Sequence, residues 1–489
     1  VRFDWSTIAL AIGVLAVVVD FVVRVLSVIL IPRNRRPQTA MAWLLAIFFL
    51  PYIGIILFWL VGSRWLPKKR REKQRDINRY ILETTEGMDQ VTRDDAWPVW
   101  LEPVVQLNRN LGAMPLVGGN SATLHDDYEE SLAAMTRALQ GAKRYVHVEF
   151  YILALDATTK PFFDELEAAV KRGVTVRVLL DHVANLRSVG YHRTLRRLTA
   201  MGADWHLMLP LLPFRGKFQR PDLRNHRKIL IVDGEVGFTG SQNVIDSSYN
   251  KRANRRRGLH WKDLMVSFEG PIVAGINALF ITDWYSETEE LLAREVGETI
   301  PAPQPDLLDA QVVPSGPGFD GENNLRMFNS LIYNAQEKVI ITSPYFVPDE
   351  SMLYAITTAA QSGLDVQLFA SEIGDQAVTY HAQRSYYEAL LRAGVRIWLY
   401  RAPTILHAKH ITIDDQVAVV GSSNMDMRSF SLDLEISVML KGGAFVQSLR
   451  RIEESYRLRS RELTLDEWMR RPARSKVLDN VARLTAAVQ

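Results

Sequence analysis

Apolar positions crowd the first sixty residues and then change rhythm. Residues 7–31 are apolar except for Asp20 and Arg24, and residues 40–62 carry no charge. A hydrocarbon core of about 30 Å takes about 20 helical residues to cross. Each run therefore predicts a membrane-spanning helix, with residues 1–63 forming a two-helix anchor. The first run is too long for a signal peptide, and no small-residue cleavage site precedes the second. Asp20 and Arg24 share a helix face and can pair. Pro51 and Gly54 inside the second run leave a re-entrant hairpin open as the alternative.

Beyond residue 100 the pattern becomes that of an α/β protein. Short apolar runs at 144–152, 175–181 and 228–232 predict buried strands, and helical periodicities at 127–141, 161–172 and 191–201 alternate with them. A stretch rich in proline and glycine at 301–321 reads as a linker. The alternation then restarts: helix 322–336, strand 338–343, helix 350–362, strand 364–370, helix 381–393 and strand 395–400. The domains expected are thus 100–300 and 322–460, with a basic juxtamembrane linker at 64–99. An amphipathic tail at 461–489 sets Trp468, Met469, Val477, Leu478, Val481 and Leu484 against Arg470, Arg471, Arg474 and Lys476, and is expected to pack on the second domain.

The two halves are a duplication. His226-x-Lys228-x4-Asp233-x6-Gly240-Ser241-x-Asn243 recurs as His407-x-Lys409-x4-Asp414-x6-Gly421-Ser422-x-Asn424 with identical spacing. Tyr151 answers Tyr345, Gly173 answers Gly363, and Gly202 answers Gly394.

Charge bears on orientation. The turn between the apolar runs holds Arg33, Arg35 and Arg36. The segment after residue 62 holds Arg64, Lys68, Lys69, Arg70, Arg71, Lys73, Arg75 and Arg79. Two full spans place these groups on opposite sides. The larger group then favours a multi-pass protein of the cell membrane with a cytoplasmic body. The run 64–79 reads equally as a lipid-headgroup contact or as a solvated linker helix. Over all 489 residues, 58 basic and 55 acidic side chains leave a net charge of +3, too little for a general polyanion binder. Cysteine is absent, which excludes disulfides, thiolate metal sites and cysteine nucleophiles.

In each copy His and Lys lie two apart on a strand and project from one face. A strand–turn–strand return brings Ser and Asn back beside them. Two such sets suit a phosphodiester. Lys228, Lys409, Asn243 and Asn424 would stabilise charge on the non-bridging oxygens, with hydroxyls from Ser241 and Ser422 nearby. One histidine would attack phosphorus, and the other would protonate the leaving alkoxide. Glu435, 28 residues after His407, and Asp263, 37 after His226, are expected to orient the imidazoles. Asp233 and Asp414, although part of the catalytic motif, are expected to brace the hairpin turn or bond the lysine. His226, His260, His381, His407 and His410 have no metal-site spacing, and no Gly-rich phosphate loop follows a strand. No metal and no cofactor is therefore expected.

These residues resemble the His-Lys-Asp signature of the phospholipase D superfamily over about residues 100–460. Arg35-Arg36-Pro37, Ala42-Trp43-Leu44, Leu50-Pro51-Tyr52-Ile53-Gly54, Arg224-Asn225-His226-Arg227-Lys228 and Ser343-Pro344-Tyr345-Phe346-Val347-Pro348 narrow the resemblance to bacterial cardiolipin synthases. The chain opens on Val1 in place of methionine, as an alternative start codon or trimming would leave it. The resemblance implies two duplicated α/β/α sandwich domains in a pseudo-twofold arrangement, preceded by two transmembrane helices. It implies that two phosphatidylglycerols give cardiolipin and glycerol, with His226 as nucleophile and His407 as acid and base. It also implies a membrane-phospholipid partner and no nucleic acid, and leaves the oligomeric state open. A phospholipid hydrolase, a membrane-tethered nuclease and a non-catalytic lipid-binding scaffold stand as alternatives.

The halves also differ. Trp205 precedes His226 by 21 residues, whereas Trp398 precedes His407 by 9. The excess, Leu209 to Lys217, is apolar and proline-bounded. It reads either as a membrane-dipping loop with Arg215, Lys217 and Arg220 on head-group phosphates, or as a packed lid. A second excess after Asn243 carries Lys251, Arg252, Arg255, Arg256 and Arg257, expected either to contact an anionic head group or to be a solvated charge run.

Overall fold

The computed structural model describes residues 5–33, 35, 37–62, 66, 68–85, 91, 97–212, 217–292, 307–319 and 321–484. They form two compact units. One holds residues 1–65 with 220–222, and the other holds the rest.

In the first unit a single long helix, α1 (Trp5–Leu30), is apolar enough to cross a membrane. Its two charges neutralise each other, with Arg24 Nε 2.8 Å from Asp20. The second apolar run is not a second spanning helix. It divides into α2 (Pro37–Phe49) and α3 (Pro51–Val61). The ring of Pro51 removes a backbone donor and clashes with the preceding turn, so the helix cannot run through it. Leu50 takes a non-helical conformation instead.

The second unit is built on one sheet of 16 strands among the described residues, 15 in line and the short strand Arg224–Asn225 off that line. Its first half supplies β1 (Leu116–His125), β2 (Tyr145–Phe150), β3 (Thr175–Asp181), β4 (Asp204–Met208), β5 (Lys228–Val232), β6 (Val236–Gly240) and β7 (Met265–Glu269). The second half supplies β8 (Leu308–Ser315), β9 (Lys338–Thr342), β10 (Asp365–Ser371), β11 (Arg396–Tyr400), β12 (His410–Ile413), β13 (Val417–Gly421), β14 (Asp433–Lys441) and β15 (Ser460–Leu463). The spatial order is β15-β11-β10-β9-β12-β13-β14-β8-β1-β7-β6-β5-β2-β3-β4. Read outward from the β8–β1 seam, the two halves repeat strand for strand, with β15 as an added edge. Gly173 and Gly363, in the tight turns before β3 and β10, both have positive φ (87° and 97°), which a side chain would strain. One apolar cluster runs through the seam and joins Val266, Phe268 and Ala310 to Ile340, Ile436 and Val438.

Three boundaries differ from the sequence reading. The supposed linker 301–321 contains β8, a central strand paired with both β1 and β14. The prolines masked the alternating stretch Leu308–Val313, and Pro314 sits at its end, opposite Ile436. Residues 301–306 lie outside the described residues. The supposed linker 64–99 contains a helix, α4 (Lys68–Thr84), which docks on helix Ile272–Thr288. Arg70 makes a two-point bond to Glu287, at 2.8 Å each, and Lys73 meets Glu289 at 3.0 Å. Part of the basic run is thus neutralised within the protein. The tail contributes β15 to the sheet edge, and its buried Asp479 binds His381, Arg384 and Arg471.

The motif aspartates belong to this architecture. Asp233 accepts from the backbone amides of Lys143, Arg144 and Tyr145, at 2.7, 2.7 and 2.9 Å. Asp414 accepts from those of Gln336, Glu337 and Lys338, at 3.1, 2.8 and 2.9 Å. Each closes the hairpin after β5 or β12 and fixes the start of β2 or β9, at the strand end away from the histidine. Neither bonds its motif lysine: Lys228 and Lys409 donate instead to the carbonyls of His226 and His407. Hydrogen bonds to a charged acceptor contribute about 1.5–3 kcal/mol each. Asp233→Ala and Asp414→Ala are therefore expected to lower the unfolding temperature in detergent by several degrees. Asp414→Asn, which keeps one acceptor oxygen, is expected to lower it less.

Candidate active site

Each motif histidine lies where its own half reaches onto the other. The short strand Arg224–Asn225 pairs in parallel with the start of β14, and the His226 amide donates to Leu434 O at 2.8 Å. In the second half Thr404–Leu406 pairs in parallel with His260–Lys262, and the His407 amide donates to Lys262 O at 2.7 Å. The residues following those two carbonyls are Leu434-Glu435 and Lys262-Asp263. Backbone pairing therefore carries each imidazole to a carboxylate of the opposite repeat.

The side chains complete that exchange. His226 Nδ1 lies 3.0 Å from both oxygens of Glu435, and His407 Nδ1 lies 2.6 Å from Asp263 Oδ1. Chain order suggested carboxylates within the same half; the bonds cross instead, because the parallel contacts interleave the halves. Ser241 donates to Asp263 at 2.6 Å. Ser422 donates to Glu435, and Ser429 does so at 2.8 Å. The motif serines thus hold the carboxylates. Lys409 Nζ sits 3.0 Å from His407 Nε2. The rings of Tyr151 and Tyr345 stand edge-on to His226 and His407, with centroids at 4.8 and 6.3 Å. Asn243 is engaged with the Ile152 amide and the Tyr249 hydroxyl, whereas Asn424 Oδ1 is buried without a hydrogen-bond partner.

Burial decides the protonation states. It holds His226 well below the usual imidazole range, reinforced by Lys228 and Lys409. Burial and Lys409 also depress His407, against the pull of Asp263. Lys228 falls to about 7 and Lys409 to about 8, both through desolvation opposed by the carboxylates. Burial lifts Glu435 to about 7 against Lys228 and the two serines. On Asp263 burial pushes upward, but His407, Lys409 and Ser241 outweigh it and leave the group below its ordinary value. With the Nδ1 proton directed at a carboxylate, each neutral imidazole keeps its lone pair on Nε2.

Around His226 lies a charged layer that the sequence reading missed. Buried Arg227 donates to Glu435 O at 3.1 Å and pairs with Asp283. Asn225 donates to Glu149 at 2.7 Å, and Arg224 meets Asp181 at 3.1 Å. Glu149 is pushed far upward by burial and by Asp283. A carboxylate inside the apolar run 144–152 and another inside the apolar helix 272–288 were the available signals. His407 is flanked instead by buried Leu406 and Ala408.

Arg215 lies outside the described residues, as does the side chain of Lys217, whose backbone pairs with Leu212. Arg220 pairs with Asp222 at 3.0 Å. Arg255, Arg256 and Arg257 are exposed, and Arg255 binds Ser248 and Asn250 of its own loop. Among the described residues no group of three His, Cys, Asp or Glu side chains has a metal-site arrangement.

Two duplicated α/β halves that interleave to bury paired histidines, lysines and carboxylates define a two-domain fold of the phospholipase D type. A solved phosphatidylserine synthase from Haemophilus influenzae Rd KW20 has the same fold, with a TM-score of 0.60 at 16% identity over 78% of this chain and 99% of that one. A family model described as cardiolipin synthase, PLD-like domain, matches residues 135–284 and 328–456. A second, described as phospholipase D-nuclease N-terminal, matches residues 21–63. Cardiolipin synthase A of Proteus mirabilis (strain HI4320) is 34% identical over 454 residues, and that of Pectobacterium carotovorum subsp. carotovorum (strain PC1) is 30% identical over 456. Both alignments cover 92% of each chain. The chain belongs to the cardiolipin synthase family.

Two outcomes follow from the crossed bonds and the lysines. Asp263→Asn and Glu435→Gln free the imidazole tautomer and are expected to lower kcat by about 10²–10⁴-fold, measured as lipid turnover in vesicles. The lysines lose their charge as pH rises through about 7 and about 8. As they do, kcat/KM is expected to fall along an alkaline limb in that interval. Glu435, which holds His226 as a carboxylate, gains its proton as pH falls through about 7, so the acid limb is expected there. Lys409→Arg is expected to remove the step near 8 and leave the one near 7 in place.

Proposed function

We propose that His226 and His407 move a phosphatidyl group from one phosphatidylglycerol to the terminal hydroxyl of a second, giving cardiolipin and glycerol. Family membership sets the enzyme class: the chain is a cardiolipin synthase-type phosphatidyltransferase acting on membrane phospholipids. The observation that carries the mechanism is the pair of buried, neutral imidazoles, each held at Nδ1 by a carboxylate of the other half.

His226 Nε2 attacks phosphorus and forms a P–N bond as the P–O bond to glycerol breaks. His407 gives its Nε2 proton to the departing glycerol oxygen. The anionic phosphodiester, seated among Lys228 and Lys409, raises the proton affinity of His407 and so loads it beforehand. In the second half-reaction His407 takes the proton of the incoming hydroxyl. That oxygen attacks phosphorus, the P–N bond breaks, and His226 is released. Lys409 beside His407 Nε2 supports the acid and base role for that ring. The two-point hold of Glu435 on His226 supports its role as nucleophile. Ser241, Ser422 and Ser429 are positioning residues that act through the carboxylates. Asn424, with its unpartnered amide oxygen, is the motif asparagine available to the substrate.

The apolar amino-terminal unit supports membrane association. The excess of lysine and arginine between residues 64 and 79 supports a cytoplasmic body. Arg255, Arg256 and Arg257, exposed together, suit the head group of a donor or acceptor lipid, and nucleic acid is not the partner of this reading. Replacing the three by glutamine is then expected to raise KM for phosphatidylglycerol and leave kcat in place.

Purified protein in phosphatidylglycerol vesicles is expected to yield a diphosphatidyl lipid and free glycerol. Phosphatidic acid as the product would mean hydrolysis, and an unchanged lipid would remove the enzymatic reading. With phosphorus-labelled donor, His407→Asn is expected to accumulate acid-labile label on the protein and His226→Asn to accumulate none. The reverse pattern would exchange the two roles.

A further inference from the structure

The amino-terminal unit has a geometry that neither two spanning helices nor one helix with a loose tail produces. At about 1.5 Å per residue, the 26 residues of α1 extend about 39 Å, the 13 of α2 about 20 Å and the 11 of α3 about 16 Å. Against a hydrocarbon core of about 30 Å, α1 crosses and neither α2 nor α3 does. The two short helices are not stacked end to end. Trp43 precedes Leu50 by seven residues and Phe58 follows Pro51 by seven. In a continuous helix these rings would lie about 22 Å apart along the axis. Their centroids are 5.4 Å apart, edge to face. Near the bend, a Cβ added to Gly54 would come within 2.8 Å of Ala46 O and Ile47 Cα, so the backbones touch where only glycine allows it. At the open end the Arg35 guanidinium donates to Gly62 O and lies over the Phe58 ring at 4.6 Å. Residues 35 and 62, 27 apart in sequence, are therefore at one level.

The outer surface of this hairpin is apolar up to its tip. Phe49, Leu50, Tyr52 and Ile53 are exposed at the bend, and Met41 and Trp59 along the arms. Only Ile31, Ala40 and Ile47 form a buried centre. A surface of that kind, contiguous with the exposed apolar flank of α1, fits acyl chains and not water.

We propose that α1 crosses the bilayer once and that α2 and α3 form a re-entrant wedge in one leaflet. The wedge enters beside Arg35 and leaves at Gly62 on the same face, with its Leu50–Tyr52 tip among acyl chains. Three residues lie between Gly62 and Leu66, too few to cross, so the catalytic body emerges on that face as well. Arg33 and Arg35 then share one membrane surface with the cations of residues 68–79. The positive-inside conflict imposed by two full spans disappears. The proposal rests on membrane association and not on the transfer chemistry, so a topology readout tests it separately.

The absence of cysteine makes that readout direct. Arg33→Cys, Tyr52→Cys and Lys68→Cys, each in the full chain, are exposed to a membrane-impermeant maleimide in right-side-out and in inverted membrane vesicles. Retained lipid turnover reports folding of each variant, and Ile56→Cys replaces Tyr52→Cys if that variant fails. Positions 33 and 68 are expected to label from the same side, and position 52 only after detergent. Labelling of 33 and 68 from opposite sides would establish two spans and overturn the proposal. Labelling of 52 in intact vesicles of either orientation would also overturn it.

Discussion

The crossed histidine–carboxylate bonds are the constraint on which the catalytic unit turns. Glu435 and Asp263 are fully buried, and a buried carboxylate without a partner is strongly disfavoured. Each has serine donors in its own half, but its histidine arrives only through a parallel backbone contact from the opposite repeat. A half on its own would leave the carboxylate without its histidine and its imidazole unoriented. The two halves therefore function as one body, and the apolar seam at β8 and β1 holds them in that register. A hydrogen bond to a charged group contributes about 1.5–3 kcal/mol, which stiffens the geometry.

The same burial tunes the chemistry. Desolvation lowers both imidazoles and both ammonium groups and raises Glu435, so the site holds little excess charge until an anionic phosphodiester enters. The substrate then supplies the negative charge that the lysines lack, and its arrival strengthens every electrostatic contact in a low-dielectric space.

Duplication did not make the halves equivalent. Asn225 and Arg227 surround His226 with a buried polar network reaching Glu149 and Asp283, whereas Leu406 and Ala408 give His407 an apolar setting. Two rings with the same motif spacing thus differ in what holds them. That difference suits a reaction in which one ring carries the covalent bond and the other moves protons.

The sequence by itself determined the duplication, which histidines and lysines recur at matched positions in the two halves, and the presence of an apolar amino-terminal region. These reside in local spacing and in runs of one residue type, which survive without coordinates. Tertiary structure decided the rest, because it depends on contacts between distant segments. Asp263 and Glu435 were legible as orienting groups, but which ring each one holds was not, since parallel pairing across the repeats sets it. Asp233 and Asp414 carry the family motif, yet their place at the far end of the hairpins turns them into backbone clamps. The strand at Leu308–Ser315 was hidden by neighbouring prolines and is defined by β1 and β14 on either side. The 23 uncharged residues from 40 to 62 are long enough to span as one helix. Only the fold back at Pro51, fixed by Trp43 against Phe58 and Gly54 against Ala46, makes them two.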